Sequence, residues 1–317
     1  MNTAKVLQKD IETCELPHSA YKSCFDYLGR RIQDAMDGYA SRIESVVGPT
    51  RVGKSMLINA LSRAHPETKE NGKRRVPLLV VKVPPGISPL LLPTSVIKAL
   101  GVPLPPSGLT SGKMSGRMTD QLKLAGTRVV LFDEASHLVD VGTKLPPRAA
   151  GDWFKSVADD LDITMVLFGV PRLVRLFDSN EQLRTRASAR REFRPYDIRV
   201  AEEKQAFASC VRTYLDLFER AGWPSEVPFT TLAAHCYLLS GGLVGVLSRF
   251  AQELAFQLEY EGPRPLTLDD FRAVAEGIES AGDPFRQRAS TRLVNLLCGG
   301  EPPLLAALVA RADRARI

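Results

Sequence analysis

The segment that most constrains the fold is Gly48-Pro49-Thr50-Arg51-Val52-Gly53-Lys54-Ser55, which has the spacing G-x-x-x-x-G-K-[ST]. The segment Ile43-Glu44-Ser45-Val46-Val47 precedes it and predicts a short buried strand, and the segment from Met56 to Leu61 predicts the start of a helix. In such a unit the loop N–H groups and the positive end of the helix dipole converge on one point, where phosphate oxygens bind. The flanking elements favour this interpretation over a chance glycine-rich turn.

The loop predicts ATP and Mg²⁺ as ligands. Gly48 and Gly53 let the backbone turn and approach phosphates closely. We expect Lys54 to contact the β- and γ-phosphates and the Ser55 hydroxyl to coordinate Mg²⁺. The other predicted nucleotide contacts come from the loop and the first helical turn, namely Pro49, Thr50, Arg51, Val52 and Met56.

A second chemical segment is Asp133-Glu134, which directly follows the apolar run 128–132. Ligand sites of open α/β sheets lie at the carboxyl ends of the strands. We expect Asp133 to support the same Mg²⁺ as Ser55, and Glu134 to orient the attacking water as a general base. The alternative is an ordinary strand end with exposed acids, which the phosphate loop disfavours.

The order of these segments predicts the fold class. A complete strand–helix unit, residues 76–100, separates the loop from Asp133-Glu134, which indicates an α/β AAA+ P-loop ATPase core rather than a small GTPase. Further strands are expected at 163–168 and 195–200, which gives a five-stranded parallel sheet in a three-layer core. A small all-α lid is expected to follow, with helices at 201–221, 229–239, 243–260 and 268–280. The predicted domains are an N-terminal helical segment (1–40), the core (41–200), the lid (201–281) and a partner-docking tail (282–317).

Other segments of the core are less regular. The sequence predicts a helix over 11–40 and polar loops at 65–75, 101–117 and 135–150. AAA+ proteins carry a polar γ-phosphate sensor near the end of the fourth strand, but this chain has only apolar residues there, at Val166, Leu167 and Phe168. The sensor is therefore absent, degenerate or supplied from elsewhere.

Basic residues suggest two further roles. Residues 170–194 hold seven arginines, which form either a solvated face or the source of a guanidinium that completes a neighbouring subunit's site. The candidates for that guanidinium are Arg184, Arg186 and Arg190, with Arg191 as a further alternative. The net charge of +6 allows a nucleic-acid partner. Four basic residues in two predicted loops of the core are candidate DNA contacts: Lys113, Arg117, Lys144 and Arg148. The alternative is that these side chains contact only solvent.

The cellular compartment follows from what the sequence lacks. The five cysteines (Cys14, Cys24, Cys210, Cys236 and Cys298) are scattered without a C-x-x-C pair, so we expect reduced thiols and no zinc site. No apolar run has the length of a membrane-spanning helix, and the first ten residues carry no apolar signal-peptide core. We therefore expect a cytoplasmic protein without a membrane partner.

Several segments together resemble the TniB/TnsC family of AAA+ transposition regulators. They are the phosphate loop at 48–55, Leu-Phe-Asp-Glu-Ala-Ser-His-Leu at 131–138, Val-Leu-Phe-Gly-Val-Pro at 166–171, Asn-Glu-Gln-Leu-Arg at 180–184 and Asp-Pro-Phe at 283–285. The likeness spans roughly residues 10–290. The chain differs from the family pattern at Asp283, where the family has Asn, and at the apolar end of the fourth strand.

The resemblance implies an ATP-dependent oligomer, either a ring or a helical filament, wound on duplex DNA. Such an oligomer would link a target-selection protein to the transposase of the same element. Two alternatives remain open. One is a helicase-loader or replication-initiator ATPase of the IstB or Cdc6 type, and the other is an ATP-switched signalling scaffold that binds no nucleic acid.

Overall fold

The computed structural model describes residues 3–14, 16, 19–39, 41–104, 108–198 and 200–278, and these fall into two units. The sheet unit comprises Tyr21–Pro49 and Lys54–Phe193. The helical unit comprises the described residues up to Ala20, the segment Thr50–Gly53 and the described residues from Arg194 onward. The division of the chain between the units therefore falls within the phosphate loop. The tail predicted at 282–317, with its Asp-Pro-Phe segment, lies outside the described residues.

Short apolar segments form the central sheet. The strands are β1 (Ile43–Val47), β2 (Thr68–Glu70), β3 (Lys73–Arg75), β4 (Leu78–Lys82), β5 (Val129–Asp133), β6 (Thr164–Gly169) and β7 (Arg191–Glu192). Five of them form one sheet in the order β4-β5-β6-β1-β7, and each neighbouring pair is parallel. β1 and β6 are buried along their whole lengths, as expected for strands of a parallel sheet covered by helices. The predicted five-stranded α/β core is confirmed.

Helices precede the first strand and lie in most of the connections between the strands. They are α2 (Ser19–Met36), α3 (Lys54–Ala64), α4 (Leu91–Ala99), α5 (Ser111–Ala125), α6 (Pro147–Leu161), α7 (Val174–Asp178) and α8 (Glu181–Arg186), with 3-10 turns at Ala135–Val139 and Pro171–Leu173. The register pairs Val47 with Gly169, and Lys82 with Asp133. Because all five strands are parallel, their carboxyl ends lie at one edge of the sheet. The phosphate loop follows β1 at this edge, and Asp133 is the last residue of β5 there.

The helical unit has its own core. It contains α1 (Thr3–Thr13), α9 (Ala201–Arg220), α10 (Phe229–Ser240), α11 (Val244–Gln257) and α12 (Leu268–Gly277). Trp223 and Phe271 are almost completely buried there. α1 packs on α11, and Gln8 Nε2 donates a hydrogen bond of 3.3 Å to the carbonyl of Ala255. The predicted start of the last helix is confirmed, because Thr267 and Asp270 form a capping box.

The predicted bounds of one helix and one strand are wrong. The helix expected over 11–40 is two helices, since α1 ends at Thr13 and α2 begins at Ser19. The fifth strand expected at 195–200 is instead Arg191–Glu192. Pro195 has no N–H to donate to a sheet, and the Tyr196 N–H donates to Gly242 O at 3.1 Å within the helical unit.

The three predicted loops also contain regular structure. Residues 65–75 include the hairpin β2–β3, where Asn71 and Gly72 adopt φ values of 50° and 75°, as expected for an Asn-Gly hairpin turn. α5 begins at Ser111 because the Thr110 side chain caps it, so Lys113 and Arg117 lie on a helix. α6 begins at Pro147, so Arg148 is also helical. Lys144 is the one of the four candidate DNA contacts that lies in a loop.

The structure can be compared with the expectations about membrane helices, cysteines and metal sites over the described residues. Taken singly, none of their helices is long and apolar enough to cross a membrane; Phe229–Ser240 with Val244–Tyr260 meets that test only as a pair bent by 113°. Four cysteines, Cys14, Cys24, Cys210 and Cys236, are free thiols. Within these ranges no three His, Cys, Asp or Glu side chains are grouped to hold a metal ion.

A candidate nucleotide-binding site

The phosphate loop begins where β1 ends. The Gly48 N–H donates to Gly169 O at 3.0 Å, which ties the start of the loop to the end of β6. The half-buried Lys54 begins α3, and its ammonium group donates to the carbonyls of Gly48 (2.8 Å) and Pro49 (2.7 Å). Lys54 therefore lies over the loop, with its charge at the N-terminal end of a helix.

The middle of the loop belongs to the helical unit. Arg51 and Gly53 have φ values of 64° and 104°, in the left-handed region that glycine adopts at least cost. The Gly245 N–H donates to Arg51 O at 2.8 Å. A Cβ on Gly245 would lie 2.5 Å from that oxygen, so only glycine allows this approach.

Asp133 and Glu134 occupy the end of β5. The Glu134 N–H donates to Asp133 Oδ1 at 2.8 Å, which fixes the orientation of the Asp133 carboxylate. Glu134 itself has φ 55° and ψ 30°, and it begins the 3-10 turn Ala135–Val139. A left-handed conformation costs a non-glycine residue ~1–2 kcal/mol, and such strain concentrates at functional sites.

The electrostatics of Lys54, Asp133 and Glu134 are linked. Burial lowers the pKa of Lys54, while the charges of Glu134 and Asp133 act in the opposite direction. Burial raises the pKa of Asp133, and the Glu134 charge adds to that effect, whereas the Glu134 N–H, Lys54 and Lys82 oppose it. Each of these charges is partly removed from water and partly compensated by its neighbours, as in a site built to hold ions.

Ser136 lies beside Asp133 and Glu134, although no residue pattern in the sequence predicts a role for it. Its side chain is 1% exposed, and its Oγ accepts a hydrogen bond of 2.6 Å from the Val170 N–H just beyond β6. Val166, Leu167 and Phe168 are all buried. The strand end therefore meets the Asp133-Glu134 turn through a backbone N–H, a contact that no residue pattern reports.

The arginines expected to act on a neighbouring subunit have different surroundings. Arg186 is paired with Asp159, and Arg190 with Glu192 at 2.9 Å. The Arg191 guanidinium lies 3.8 Å from the centre of the Tyr27 ring. Arg184 is exposed on α8; its N–H donates to Asn180 O at 3.0 Å, and its guanidinium has no hydrogen bond or ion pair with any described residue.

Asn180 fixes the position of α8. Its Oδ1 accepts from the Leu183 N–H (3.0 Å), and its Nδ2 donates to Asp152 Oδ1 (2.7 Å) and to Arg148 O (3.1 Å). A Cβ on Gly151 would lie 2.8 Å from that Nδ2, so the close approach of α6 to Asn180 depends on glycine. A pocket of about 430 Å³ beside Asn180 is lined by Arg148, Arg184 and acidic side chains.

The four candidate DNA contacts do not form one loop surface. Lys113 is exposed on α5, where Arg117 is half-buried and donates to Pro103 O at 3.3 Å. Lys144 is exposed in the loop before α6, and Arg148 is exposed in the first turn of α6.

Comparison with known proteins places the chain. The family model described as "Bacterial TniB protein" matches residues 17–194, which is more than half of the 317-residue chain. The chain belongs to the TniB family. This match covers the phosphate loop, Asp133-Glu134, Ser136 and Arg184, and confirms the resemblance seen in the sequence.

Solved structures share the fold of this TniB-family chain. The ORC2 protein of Aeropyrum pernix, solved as ADPNP-ADP complexes, has a TM-score of 0.60 and 16% identity, with 95% of this chain and 81% of that chain covered. Cdc6p of Pyrobaculum aerophilum has a TM-score of 0.60 and 13% identity, covering 84% and 69%. The ORC1 protein of Aeropyrum pernix, solved with DNA, has a TM-score of 0.57 and 12% identity, covering 96% and 85%. At these identities the likeness concerns the fold alone. A search of curated proteins found no match.

Proposed function

We propose that this TniB-family chain binds ATP, assembles with copies of itself on duplex DNA, and links a target-selection protein to a transposase. The observation that carries the proposal is the meeting of Lys54, Asp133 and the strained Glu134 at the carboxyl edge of the sheet in a TniB-family chain. The first supplies a cation for phosphates, the second a hard oxygen ligand, and the third a positioned base.

The donor set fits Mg²⁺. The Ser55 hydroxyl and the Asp133 carboxylate are the oxygen ligands that Mg²⁺ prefers, and neither is fully buried. When bound, Mg²⁺ would neutralise charge on the phosphates. The chain's own groups do the rest: Lys54 holds phosphate oxygens, the Glu134 N–H orients Asp133, and the Glu134 carboxylate orients water for hydrolysis.

DNA binding is proposed from charge and from family membership. The net charge of +6 and the exposed cations Lys113, Lys144 and Arg148 suit contacts with the phosphate backbone. Such contacts position a protein on DNA without reading the bases. We therefore expect little sequence preference and affinity that falls steeply as salt rises.

Assembly is proposed to complete the catalytic site. Among the arginines after β6, Arg184 is the candidate whose guanidinium is uncommitted within the described residues. A planar, permanently charged group suits stabilisation of a transferring phosphoryl group on a neighbouring subunit.

The test is electron microscopy of the protein with and without ATP and duplex DNA, together with filter binding across a salt series. We expect rings or filaments only when ATP and DNA are both present, and no assembly by Lys54→Ala, which lacks the phosphate cation. Lys98→Ala, which removes an exposed lysine from the last turn of α4, is the control and should assemble. ATP-dependent assembly without DNA would favour a signalling scaffold, and a flat salt response would contradict backbone binding.

A further inference from the structure

One peptide unit lies between the phosphate loop and the Asp133-Glu134 turn. Its carbonyl, Gly169 O, accepts from the Gly48 N–H at 3.0 Å, and its N–H, that of Val170, donates to Ser136 Oγ at 2.6 Å. The carbonyl and N–H of a trans peptide point in opposite directions. The 169–170 peptide is therefore bonded to the phosphate loop on one side and to the acidic turn on the other.

The contact between Ser136 and the 169–170 peptide leaves no room for a side chain at Gly169. A Cβ on Gly169 would lie 2.4 Å from Ser136 Oγ and 3.1 Å from the Ser136 N atom. The hydroxyl of Ser136 thus occupies the space that a side chain at the strand end would need. Because Ser136 is 1% exposed, water does not replace the hydroxyl as a partner for the Val170 N–H.

Ser136 is also close to the reacting groups along a stiff turn. It is two residues from Glu134 within the 3-10 turn, and the His137 N–H donates to Glu134 O at 3.0 Å. The far end of the turn is held separately, because Asp140 contacts His137 Nδ1 (2.6 Å) and Arg172 (2.8 Å). The turn is anchored at both ends to the segment after β6.

We infer that Ser136 is a positioning residue, which holds Asp133 and Glu134 in register with the phosphate loop through the 169–170 peptide. The inference rests on the proposed ATP hydrolysis for its kinetic consequences, whereas its structural consequence holds without nucleotide.

The experiment compares Ser136→Ala with Thr164→Val. Thr164 stands at the opposite end of β6, is 2% exposed, and its Oγ1 accepts from the Arg42 N–H at 3.3 Å. Both variants remove a buried hydroxyl that accepts a backbone N–H, so both should lose similar stability. Ser136→Ala should lower kcat about tenfold, the effect of one lost hydrogen bond on a barrier, and should reduce the gain in ATP affinity on adding Mg²⁺. Thr164→Val should change neither.

A second measurement uses the protein without nucleotide. Ser136→Ala should speed hydrogen exchange of the Gly48 and Glu134 amides, whose acceptors are Gly169 O and Asp133 Oδ1, while Thr164→Val should not. If Ser136→Ala does not fold, Ser136→Cys fills the site with a larger sulfur atom that is a weaker acceptor, and it should give the same changes to a smaller degree. Unchanged exchange at both amides would overturn the inference, as would kcat values equal in the two variants. Absence of ATP turnover in the unsubstituted protein would count against the proposed function alone.

Discussion

At the scale of single residues, Glu134 carries the most chemical information. Its left-handed backbone places its N–H 2.8 Å from Asp133 Oδ1, so one residue both orients the carboxylate that we propose binds Mg²⁺ and carries the carboxylate that we propose is the base. The contact with Asp133 uses the Glu134 backbone, whereas the proposed base is the Glu134 side chain. Substitution of the Glu134 side chain should therefore separate hydrolysis from nucleotide binding, because the backbone contact remains.

Glu134→Gln tests that separation. The amide keeps the shape of the side chain and cannot accept a proton, so we expect ATP affinity to be preserved and hydrolysis to fall by ~10²-fold or more. Nucleotide titration and a phosphate-release assay measure the two quantities. Glu70→Gln, an exposed acid on β2, is the control and should hydrolyse normally. Normal turnover by Glu134→Gln would mean that another residue is the base.

The sequence predicts some of these residues and not others. Spacing alone predicts Lys54, Ser55, Asp133 and Glu134 as site residues, because each proposed role demands one residue type at a fixed position relative to a strand end or a helix start. Ser136 is not found, since its role depends on a hydrogen bond to Val170 across 34 positions. The pairing of Arg186 with Asp159 is likewise a tertiary contact that spacing does not reveal.

At the scale of elements, β1 contains a buried charge that organises its surroundings. Glu44 is 1% exposed, and its carboxylate accepts hydrogen bonds from Tyr27 Oη (3.1 Å) and Ser188 Oγ (2.7 Å) and is paired with Arg31 (3.2 Å). The same Tyr27 ring lies under the Arg191 guanidinium. α2, β1 and the segment before β7 are therefore joined through one carboxylate, and Arg191 of β7 is held by the Tyr27 ring.

Tyr27→Phe should weaken this joint. The ring and its contact with Arg191 remain, but Glu44 loses one hydrogen bond inside the protein, so the free energy of unfolding should fall by ~1 kcal/mol or more. Denaturant titration measures the change. Tyr39→Phe removes a hydroxyl from a side chain that is 66% exposed and should have no effect. Equal stability of the two variants would contradict the role assigned to the Glu44 cluster.

Helix α10 carries a second buried polar side chain. His235 is 4% exposed, and neither ring nitrogen has a hydrogen-bond partner among the described residues. Burial lowers the pKa of His235 below its ordinary value of 6.5. The unfolded chain therefore binds a proton that the folded chain refuses, and stability should fall as pH drops below about 6.5.

The pH dependence is checked by denaturation midpoints between pH 7.5 and 5.5. His235→Leu should show a shallower loss than the unsubstituted protein, because the titrating group is gone and the apolar side chain suits the core. His65→Gln is the comparison at a more exposed histidine, and it should leave most of the slope in place. Identical slopes in all three proteins would show that other groups set the acid sensitivity.

Elements were predictable where apolar residues or a motif marked them. β1, β4, β5 and β6 lie within or overlap the predicted strands, because β4, β5 and β6 are rich in apolar residues and β1 directly precedes the phosphate loop. β7 was missed because its two residues, Arg191 and Glu192, have no strand pattern; parallel pairing with Val46 and Val47 creates the strand. α5 begins at Ser111, inside the loop predicted at 101–117, because the Thr110 side chain caps a helix there despite the glycines that suggested a loop.

At the scale of the whole molecule, the proposed function requires that one subunit complete another. The four candidate arginines differ in what each would give up to reach a neighbour. Arg186 would leave Asp159, Arg190 would leave Glu192, and Arg191 would leave the Tyr27 ring. Arg184 breaks no contact with a described residue, so its guanidinium carries the smallest cost of rearrangement.

Mixing two inactive variants tests Arg184 in trans. Lys54→Ala keeps the arginine and lacks the phosphate cation, and Arg184→Ala has the opposite defect. In a mixed ring some interfaces join an intact phosphate loop to an intact arginine, so part of the ATPase activity should return. Arg190→Ala is the matched control, because it removes an exposed arginine from the same region but leaves Arg184 in place, and it should be active alone. If Arg184→Ala assembles with Lys54→Ala and no activity returns, Arg184 does not act on the neighbouring site. Activity of Arg184→Ala by itself would lead to the same conclusion, since a required guanidinium has no substitute within the subunit.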